Sequence, residues 1–289
     1  MHPRLAAARP APTSPAMTRP FRAIPILVAA FAASAPARAD DARICADPAA
    51  EPRAAVRACE RVIAAGRLST PELARAYANQ GSAWLALDGF AQALAAFNAA
   101  ALRDPRLQMV YVGRARALER LGRVGEALAD YDRALAMRPD DDAALTGRGA
   151  LLLRQGRAEA ALADFDAVVR LRPGDLDALF NRGLAAAALG RSDAAVADFS
   201  QVIARRPDDA AAWLERGRAR SRSDPDGALA DLGQAMRLSP EWAEPFVARG
   251  LLLDALGRRG EADRDFLRAF ELGYQAGWLT ERVSALRGG

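Results

Sequence analysis

The sequence predicts an all-α solenoid of six helical hairpins with a capping helix at each end. Prolines recur every 34 residues, large and small residues recur at fixed places between them, and glycines recur where a first helix would end. The prolines are Pro105, Pro139, Pro173 and Pro207, with Pro240 after 33 residues. A repeat of this length holds two helices, whose open apolar side must be covered by the next unit.

Alignment on the prolines gives six units, in which column n denotes the nth residue of a unit. The units are 74–107, 108–141, 142–175, 176–209, 210–242 and 243–274. The residues at columns 4 and 24 are large, whereas those at columns 8 and 20 are small. The two helices of a unit can therefore cross closely over a shared apolar layer. Glycine at column 15 predicts a left-handed end to the first helix. These glycines are Gly122, Gly156, Gly190 and Gly257.

These columns resemble the tetratricopeptide repeat (TPR) family over residues 74–274. The resemblance implies a right-handed solenoid in which the first helix of each unit lines a concave groove. The fifth unit departs from the pattern, because residues 221–227 replace the glycine turn and the unit is one residue shorter. Arg220 also occupies column 11, where a large apolar residue is usual.

The resemblance places a binding surface on columns 2, 5, 9, 12 and 13. In this chain we predict a groove with an apolar centre in the third and fourth units and arginines on both sides. Such a surface suits a protein or peptide segment with apolar anchors and acidic groups. The alternative is that the arginines only solvate this face. The predicted groove residues are Val112, Arg116, Glu119, Arg120, Thr146, Leu153, Arg154, Phe180, Leu184, Leu214, Arg218, Arg222, Val247 and Leu251.

Columns 7 and 23 carry Arg and Asp together in five units, and the first unit has neither charge. This co-occurrence predicts an ion pair between the two helices of each hairpin, with a guanidinium binding a carboxylate through two hydrogen bonds. The alternative is an arginine stripe that recognises an anionic ligand. The predicted pairs are Arg114–Asp130, Arg148–Asp164, Arg182–Asp198, Arg216–Asp231 and Arg249–Asp265.

Residues 1–39 predict a signal peptide. Arg19 and Arg22 precede eleven apolar residues, 23–33, and Ala-Arg-Ala ends at Ala39. We expect cleavage between Ala39 and Asp40 and a periplasmic or secreted mature chain, with Met17 as an alternative start. A retained membrane anchor is the other interpretation, although the run is shorter than the roughly 20 residues of a span.

Both ends of the mature chain are predicted to cap the repeats. Residues 40–73 are expected to form an N-terminal helical cap. Cys45 and Cys59 are predicted to form a disulfide within it, because exported proteins fold in an oxidising compartment. A catalytic redox pair is the alternative, but the spacing is not Cys-x-x-Cys. Residues 275–289 hold a closing helix, whose apolar residues are Trp278, Leu279, Val283 and Leu286.

The composition excludes several kinds of chemistry. All 40 basic residues are arginine and the one histidine is His2, so lysine- and histidine-based catalysis is ruled out. Residues 40–289 hold 35 arginines against 36 acidic residues, a net charge of −1, which removes the support for a nucleic-acid partner. The aspartates before the first helices, such as Asp141, Asp175 and Asp209, are expected to be N-caps and not metal ligands.

We therefore predict a non-enzymatic scaffold with no catalytic residue, metal or cofactor, which binds a protein or peptide in its concave groove and has no membrane span in the mature chain. One alternative is an accessory subunit of a cell-envelope hydrolase, or of an assembly or secretion complex, that acts through its convex face. Another is self-assembly through an uncapped end.

Overall fold

The computed structural model describes residues 39–288, so residues 1–38 of the predicted signal peptide lie outside this range. The described residues form fifteen α-helices and no strand. None of these helices is both long and apolar enough to cross a membrane. The helices are α1 (Ala39–Ala46), α2 (Pro52–Ala64), α3 (Thr70–Ala86), α4 (Phe90–Arg103), α5 (Gln108–Arg120), α6 (Val124–Met137), α7 (Asp142–Arg154), α8 (Ala158–Leu171), α9 (Leu176–Ala188), α10 (Ser192–Arg205), α11 (Ala210–Arg220), α12 (Pro225–Leu238), α13 (Ala243–Ala255), α14 (Arg259–Glu271) and α15 (Gly277–Gly288).

Helices α3 to α14 form six antiparallel pairs, which we number pair 1 (α3–α4) to pair 6 (α13–α14). The first helices of pairs 2 to 6 begin at the first residues of the predicted units. Asp141, Asp175 and Asp209 are N-caps that accept backbone hydrogen bonds at 2.9 to 3.1 Å, as predicted. The glycines of column 15 all have φ between 71° and 78°, which confirms the predicted ends of the first helices.

Pair 1 starts one turn earlier than its predicted unit. Helix α3 begins at Thr70, whereas the unit boundary was placed at Ala74. The reason is local, because the Glu72 carboxylate accepts hydrogen bonds from the Ser69 backbone N–H at 2.8 Å and from its hydroxyl at 2.6 Å. This capping box, with Pro71 in the first turn, extends the helix toward its N-terminus.

Large rings at column 24 form the centre of the core. Phe97, Phe165 and Phe199 are each at most 1% exposed. The Phe97 ring lies between two glycines of different pairs: a Cβ on Gly81 would approach it to 2.9 Å, and a Cβ on Gly113 to 2.3 Å. The glycines therefore accommodate a ring, in addition to letting the helix backbones approach.

The pairs stack with a consistent curvature. Each first helix contacts the first helix of the next pair, from α3 and α5 through α11 and α13. Within the described residues, no second helix contacts the second helix of the next pair. First helices are therefore closer together than second helices, and they form the concave inner face.

The N-terminal cap is the hairpin of α1 and α2, and Cys45 and Cys59 form its disulfide. Both cysteines are buried beside Ala58, Ala76 and partly buried apolar residues. The buried Asp41 carboxylate accepts a hydrogen bond from Arg61 Nε at 3.0 Å, which further ties α1 to α2.

The C-terminal cap is α15. Leu279 and Val283 are buried against pair 6, with 0% and 2% exposure. Trp278 and Leu286, the other two apolar residues of the predicted closing helix, are 43% and 38% exposed. One edge of the Trp278 ring still contacts Phe266, with 5.3 Å between ring centroids.

Candidate binding groove

The charged residues of columns 7 and 23 lie at the junction of the two helices in pairs 2 to 6. In each pair the arginine Nε and Nη2 donate to the two carboxylate oxygens of the aspartate, at 2.6 to 2.9 Å. Each of these aspartates is at most 5% exposed. The hydrogen bonds that the arginines donate to Asp130, Asp164, Asp198 and Asp265 raise the pKa of these arginines above the ordinary value. These arginines therefore have a structural role, which is to join the two helices of each pair.

The same arginines also reach back to the preceding pair. Nη1 donates to a residue of column 25, at 3.0 Å in Arg114 to Asn98, 2.6 Å in Arg148 to Asp132 and 3.2 Å in Arg182 to Asp166. Arg216 likewise donates to Ser200 at 3.1 Å. Arg249 faces Gly233, which has no side chain to accept. The ladder thus joins successive pairs as well as the helices within each pair, a link that the sequence analysis missed.

A second set of arginines stands before the loop prolines. Arg138, Arg172 and Arg206, at column 31, each bond to the start of the first helix of their own unit. Arg138 Nη2 donates to Gln108 Oε1 at 2.7 Å, and Arg206 Nη1 to Asp177 Oδ1 at 2.6 Å. Arg172 pairs with Asp142. The repeated Arg-Pro dipeptide was a signal for this set, and the sequence analysis did not use it.

Two adjoining cavities lie on the inner face of pairs 1 to 4. The Met109 cavity, of about 370 Å³, is lined by Ser82, Leu85, Gln108, Met109, Val112 and Arg116, among others. The Thr146 cavity, of about 450 Å³, is lined by Arg116, Glu119, Tyr131, Asp142, Thr146 and Arg172, among others. Arg116 and Ala143 line both cavities, so the two form one continuous groove.

The Met109 cavity combines an apolar wall with polar donors. Met109 is 44% exposed and Val112 is 9% exposed. Arg116 is exposed, and no ion pair to it exists among the described residues. The Nε2 atom of Gln108 is buried without a hydrogen-bond partner, while Oε1 of the same amide accepts from Arg138. Buried amide donors are normally satisfied, so this free donor is unusual.

The Thr146 cavity has a tyrosine, Tyr131, in its lining. Tyr131 occupies column 24, where the other pairs have Phe or Leu, and its hydroxyl lies 3.4 Å from Glu119 Oε2. Burial raises the pKa of Tyr131 well above its ordinary value, and the Glu119 carboxylate adds to this effect. Gly147 provides the space, since a Cβ there would approach the hydroxyl oxygen to 2.4 Å.

Four of the predicted groove residues line these cavities: Val112, Arg116, Glu119 and Thr146. Three predicted arginines are held by nearby carboxylates instead of being free for a ligand. Arg154 pairs with Glu119, Arg120 with Asp88 and Arg218 with Glu215. Arg222 is exposed, with no ion pair among the described residues.

The apolar centre of the predicted groove is more deeply packed than expected. Leu153, Phe180 and Leu184 are half-buried against the core of pairs 3 and 4, and Leu251 is half-buried in pair 6. Leu214 and Val247 were wrongly placed on the groove surface, because they are 1% and 6% exposed. Both occupy column 5 and pack within apolar clusters at the joint between pairs 5 and 6 and within pair 6.

Several cavity residues were not predicted. Ser82 and Leu85 occupy columns 9 and 12 of the first unit, and Met109 occupies column 2 of the second, so the same columns identify them. Gln108 and Tyr131 fall outside those columns. The tyrosine at a column of phenylalanines was the available signal for Tyr131. The described residues contain no group of three or more His, Cys, Asp or Glu side chains that could hold a metal ion.

Comparison with known proteins agrees with this geometry. Residues 112–176 and 180–244 match the model of a tetratricopeptide repeat family. Over these two segments the chain is similar to the tetratricopeptide repeat family. The matched segments cover most of pairs 2 to 5 and end in the first turn of α13, so they include four of the five arginine–aspartate ladder pairs. No curated protein matches this chain.

Solved structures share the TPR fold at low identity. A TPR protein from Parabacteroides merdae ATCC 43184 has a TM-score of 0.58 and 21% identity, over 81% of this chain and 91% of that one. YrrB, described as a TPR protein with an unusual peptide-binding site, has a TM-score of 0.54 and 19% identity, over 66% and 97%. PilW, described as a widely conserved type IV pilus biogenesis factor, has 0.64 and 19%, over 73% and 98%.

Proposed function

We propose that this chain is an exported, non-catalytic TPR scaffold that binds a protein or peptide segment in the groove of its inner face. The observation that carries the proposal is the meeting of two cavities at Arg116, an exposed arginine without an ion pair among the described residues. A concave surface with apolar walls and a few convergent polar groups is the usual form of a binding site. The peptide-binding site named for YrrB supports the same use of the fold.

The pattern of ion pairs strengthens this choice of site. The ladder arginines and those of column 31 are neutralised by partners of the chain itself. Arg154 is neutralised by Glu119 across two neighbouring pairs. Arg116 is therefore the better probe of function, because its replacement breaks no ion pair, whereas replacement of Arg154 also removes a link between pairs 2 and 3.

The groove can be tested by photo-crosslinking in cells that normally make the protein. A photoreactive amino acid is placed at Met109 or Thr146 in the groove, and in matched variants at Arg170 or Arg264, exposed residues on the second helices α8 and α14. We expect groove positions to crosslink one protein and the outer positions not to do so. Addition of Arg116→Glu should abolish the groove crosslink while the thermal melt stays unchanged.

A second candidate is an accessory subunit of a cell-envelope hydrolase, or of an assembly or secretion complex, acting through its convex face. The likeness of fold to PilW, a type IV pilus biogenesis factor, favours it. Crosslinks from positions 170 or 264 alone would select this candidate over the groove. Chelator-sensitive hydrolase turnover by the purified protein would instead overturn the non-catalytic assignment.

The proposal of export rests on the positively charged, apolar and Ala-x-Ala segments of residues 1–39. The disulfide supports this proposal, because such bonds persist in oxidising compartments. We expect the intact mass of protein recovered from the periplasm or the medium to correspond to a chain that begins at Asp40. Recovery from the cytoplasm with residues 17–39 still attached would contradict export with cleavage.

A further inference from the structure

Arg116 is an exposed hydrogen-bond donor on the Met109 cavity, and the Nε2 atom of Gln108, another lining residue, is shielded from solvent. Within the described residues, Arg116 has no ion pair, and Gln108 Nε2 has no hydrogen-bond partner. The Gln108 amide is held in this orientation, because its Oε1 accepts from Arg138 at 2.7 Å. An amide flip would turn Nε2 toward a guanidinium, which cannot accept a hydrogen bond.

No carboxylate in the described lining of the cavity is left without a cationic or helix-cap partner. Asp141 is the one carboxylate in its lining, and it already accepts from the Ala144 backbone N–H at 2.9 Å and pairs with Arg138 at 3.1 Å. The hydroxyl of Ser82 donates to the Ala78 carbonyl at 3.1 Å. Arg116 is therefore the accessible donor without a partner, and a ligand that pairs with it must supply an acceptor, most favourably an anionic one.

Apolar surface lies beside these donors. Leu85, Val112 and the 44% exposed Met109 contribute to the same wall. Methionine is unbranched and flexible, so it adapts to an incoming apolar side chain. The site thus combines a position for a carboxylate with a neighbouring position for a large apolar group.

We infer that the Met109 cavity binds an aspartate or glutamate side chain next to a large apolar side chain, both from one extended segment of the partner. This inference rests on the proposed function and names the chemistry of its ligand. The carboxylate belongs to a side chain and not to a chain end, because Arg116 and Ala143 continue the groove into the Thr146 cavity. A segment that ended at Arg116 would leave that second cavity empty.

The test uses pools of fluorescent heptapeptides, acetylated and amidated, with random flanks around a fixed pair of residues. The pairs are Leu-Glu, Leu-Gln, Leu-Lys and Ser-Glu, and binding to the disulfide-bonded mature chain is measured by fluorescence polarisation. We expect the Leu-Glu pool to bind at least about tenfold more tightly than the Leu-Gln pool, because a charged hydrogen bond is lost in the latter. The Ser-Glu pool should also bind more weakly.

Variants test whether the preference for the Leu-Glu pool arises in the Met109 cavity. Arg116→Gln should remove the difference between Leu-Glu and Leu-Gln, and Arg116→Glu should reverse the preference toward Leu-Lys. Met109→Ser should reduce the advantage of Leu-Glu over Ser-Glu. Arg170→Glu, on the outer helix α8, is the charge-matched control and should retain the wild-type preferences.

The outcomes separate this inference from the proposed function. Binding of all pools without a preference for acid, or a preference that survives Arg116→Gln, would overturn the inference and leave peptide binding in place. Tighter binding of a Leu-Gln pool with a free C-terminus than of the amidated Leu-Glu pool would also overturn it, in favour of a terminal carboxylate. Failure of every pool to bind would count against both.

Discussion

Arg148 and Asp132 belong to consecutive helix pairs, and the Arg148 guanidinium donates to the Asp132 carboxylate at 2.6 Å. The same guanidinium donates to Asp164 of its own pair at 2.7 and 2.9 Å. One side chain therefore makes both a bond within a pair and a bond between pairs. The two acceptors differ in burial, since the side chain of Asp164 is 6% exposed and that of Asp132 is 63% exposed.

This difference predicts unequal effects of removing the two acceptors. Asp164→Ala should lower the free energy of unfolding by about 2–3 kcal/mol, because it leaves a half-buried guanidinium without its bidentate partner. Asp132→Ala should lower it by less than about 1 kcal/mol, as expected for an exposed ion pair. Urea unfolding followed by circular dichroism measures both, and equal losses would contradict the assignment.

Gly147 should resist replacement by alanine, although alanine is the better helix former. A Cβ at this position would lie 2.4 Å from the Tyr131 hydroxyl oxygen and 2.5 Å from the carbon that bears it. We expect Gly147→Ala to destabilise the protein by about 1–3 kcal/mol through overpacking. Gly260→Ala in α14 is the control, because nothing lies within 4 Å of its Cβ and a small gain of up to about 1 kcal/mol is expected. A gain at both positions would exclude the clash.

The ladder can be extended at the joint between pairs 5 and 6. Arg249 bonds to Asp265 but faces Gly233, where Arg148 and Arg182 have an aspartate of the preceding pair. A Cβ at Gly233 would meet Arg249 Nη1 at 3.9 Å, an ordinary contact. Gly233→Asp should therefore raise the midpoint of thermal unfolding by a salt-sensitive amount, since exposed ion pairs are screened. Gly233→Ala should give a gain that 1 M NaCl does not reduce.

Removal of the disulfide should loosen the N-terminal cap without opening the distant repeats. The bond closes a loop of about 15 residues, worth roughly 3 kcal/mol in the chain-entropy account. In the double variant Cys45→Ala, Cys59→Ala we expect faster amide hydrogen exchange in α1 and α2. Exchange in α9 to α14 should stay at the wild-type rate, because each unit of a solenoid contacts only its neighbours. Uniformly faster exchange would show that the stack opens as one unit.

The sequence predicted best those features that depend on a few neighbouring residues. The starts of α7, α9 and α11 follow from aspartate caps, and the ends of α5, α7, α9 and α13 follow from glycines with positive φ. The ladder was predictable within a pair because both charges recur in the same unit. The hydrogen bond from Arg148 to Asp132 of the preceding pair was missed, because the acceptors at column 25 vary among Asn, Asp and Ser.

Groove exposure was harder to predict because it depends on how closely neighbouring pairs pack. Leu214 and Thr146 share column 5, yet the first is buried and the second lines a cavity. Arg154 and Arg116 both fall on predicted groove columns, but Glu119, 35 residues from Arg154, neutralises one of them. Such pairings depend on how two particular units stack, and the residue pattern within a single unit does not contain this information.

The between-pair bonds give the array a direction, as in a polymer whose monomers have distinct head and tail groups. The column 7 guanidinium of pairs 2 to 5 is the head, and it donates to the tail acceptor at column 25 of the preceding pair. Arg249 of pair 6 faces Gly233 and has no such acceptor. At the N-terminal end the head position holds Gln80, and at the C-terminal end the tail position holds Leu267, which packs against the apolar core of pair 6. Both ends of the array are therefore terminated. A duplicated copy of the unit 142–175 or 176–209, inserted within the array, should form these hydrogen bonds with its neighbours. A copy added after residue 274 would find Leu267 at the acceptor position and could not form the bond.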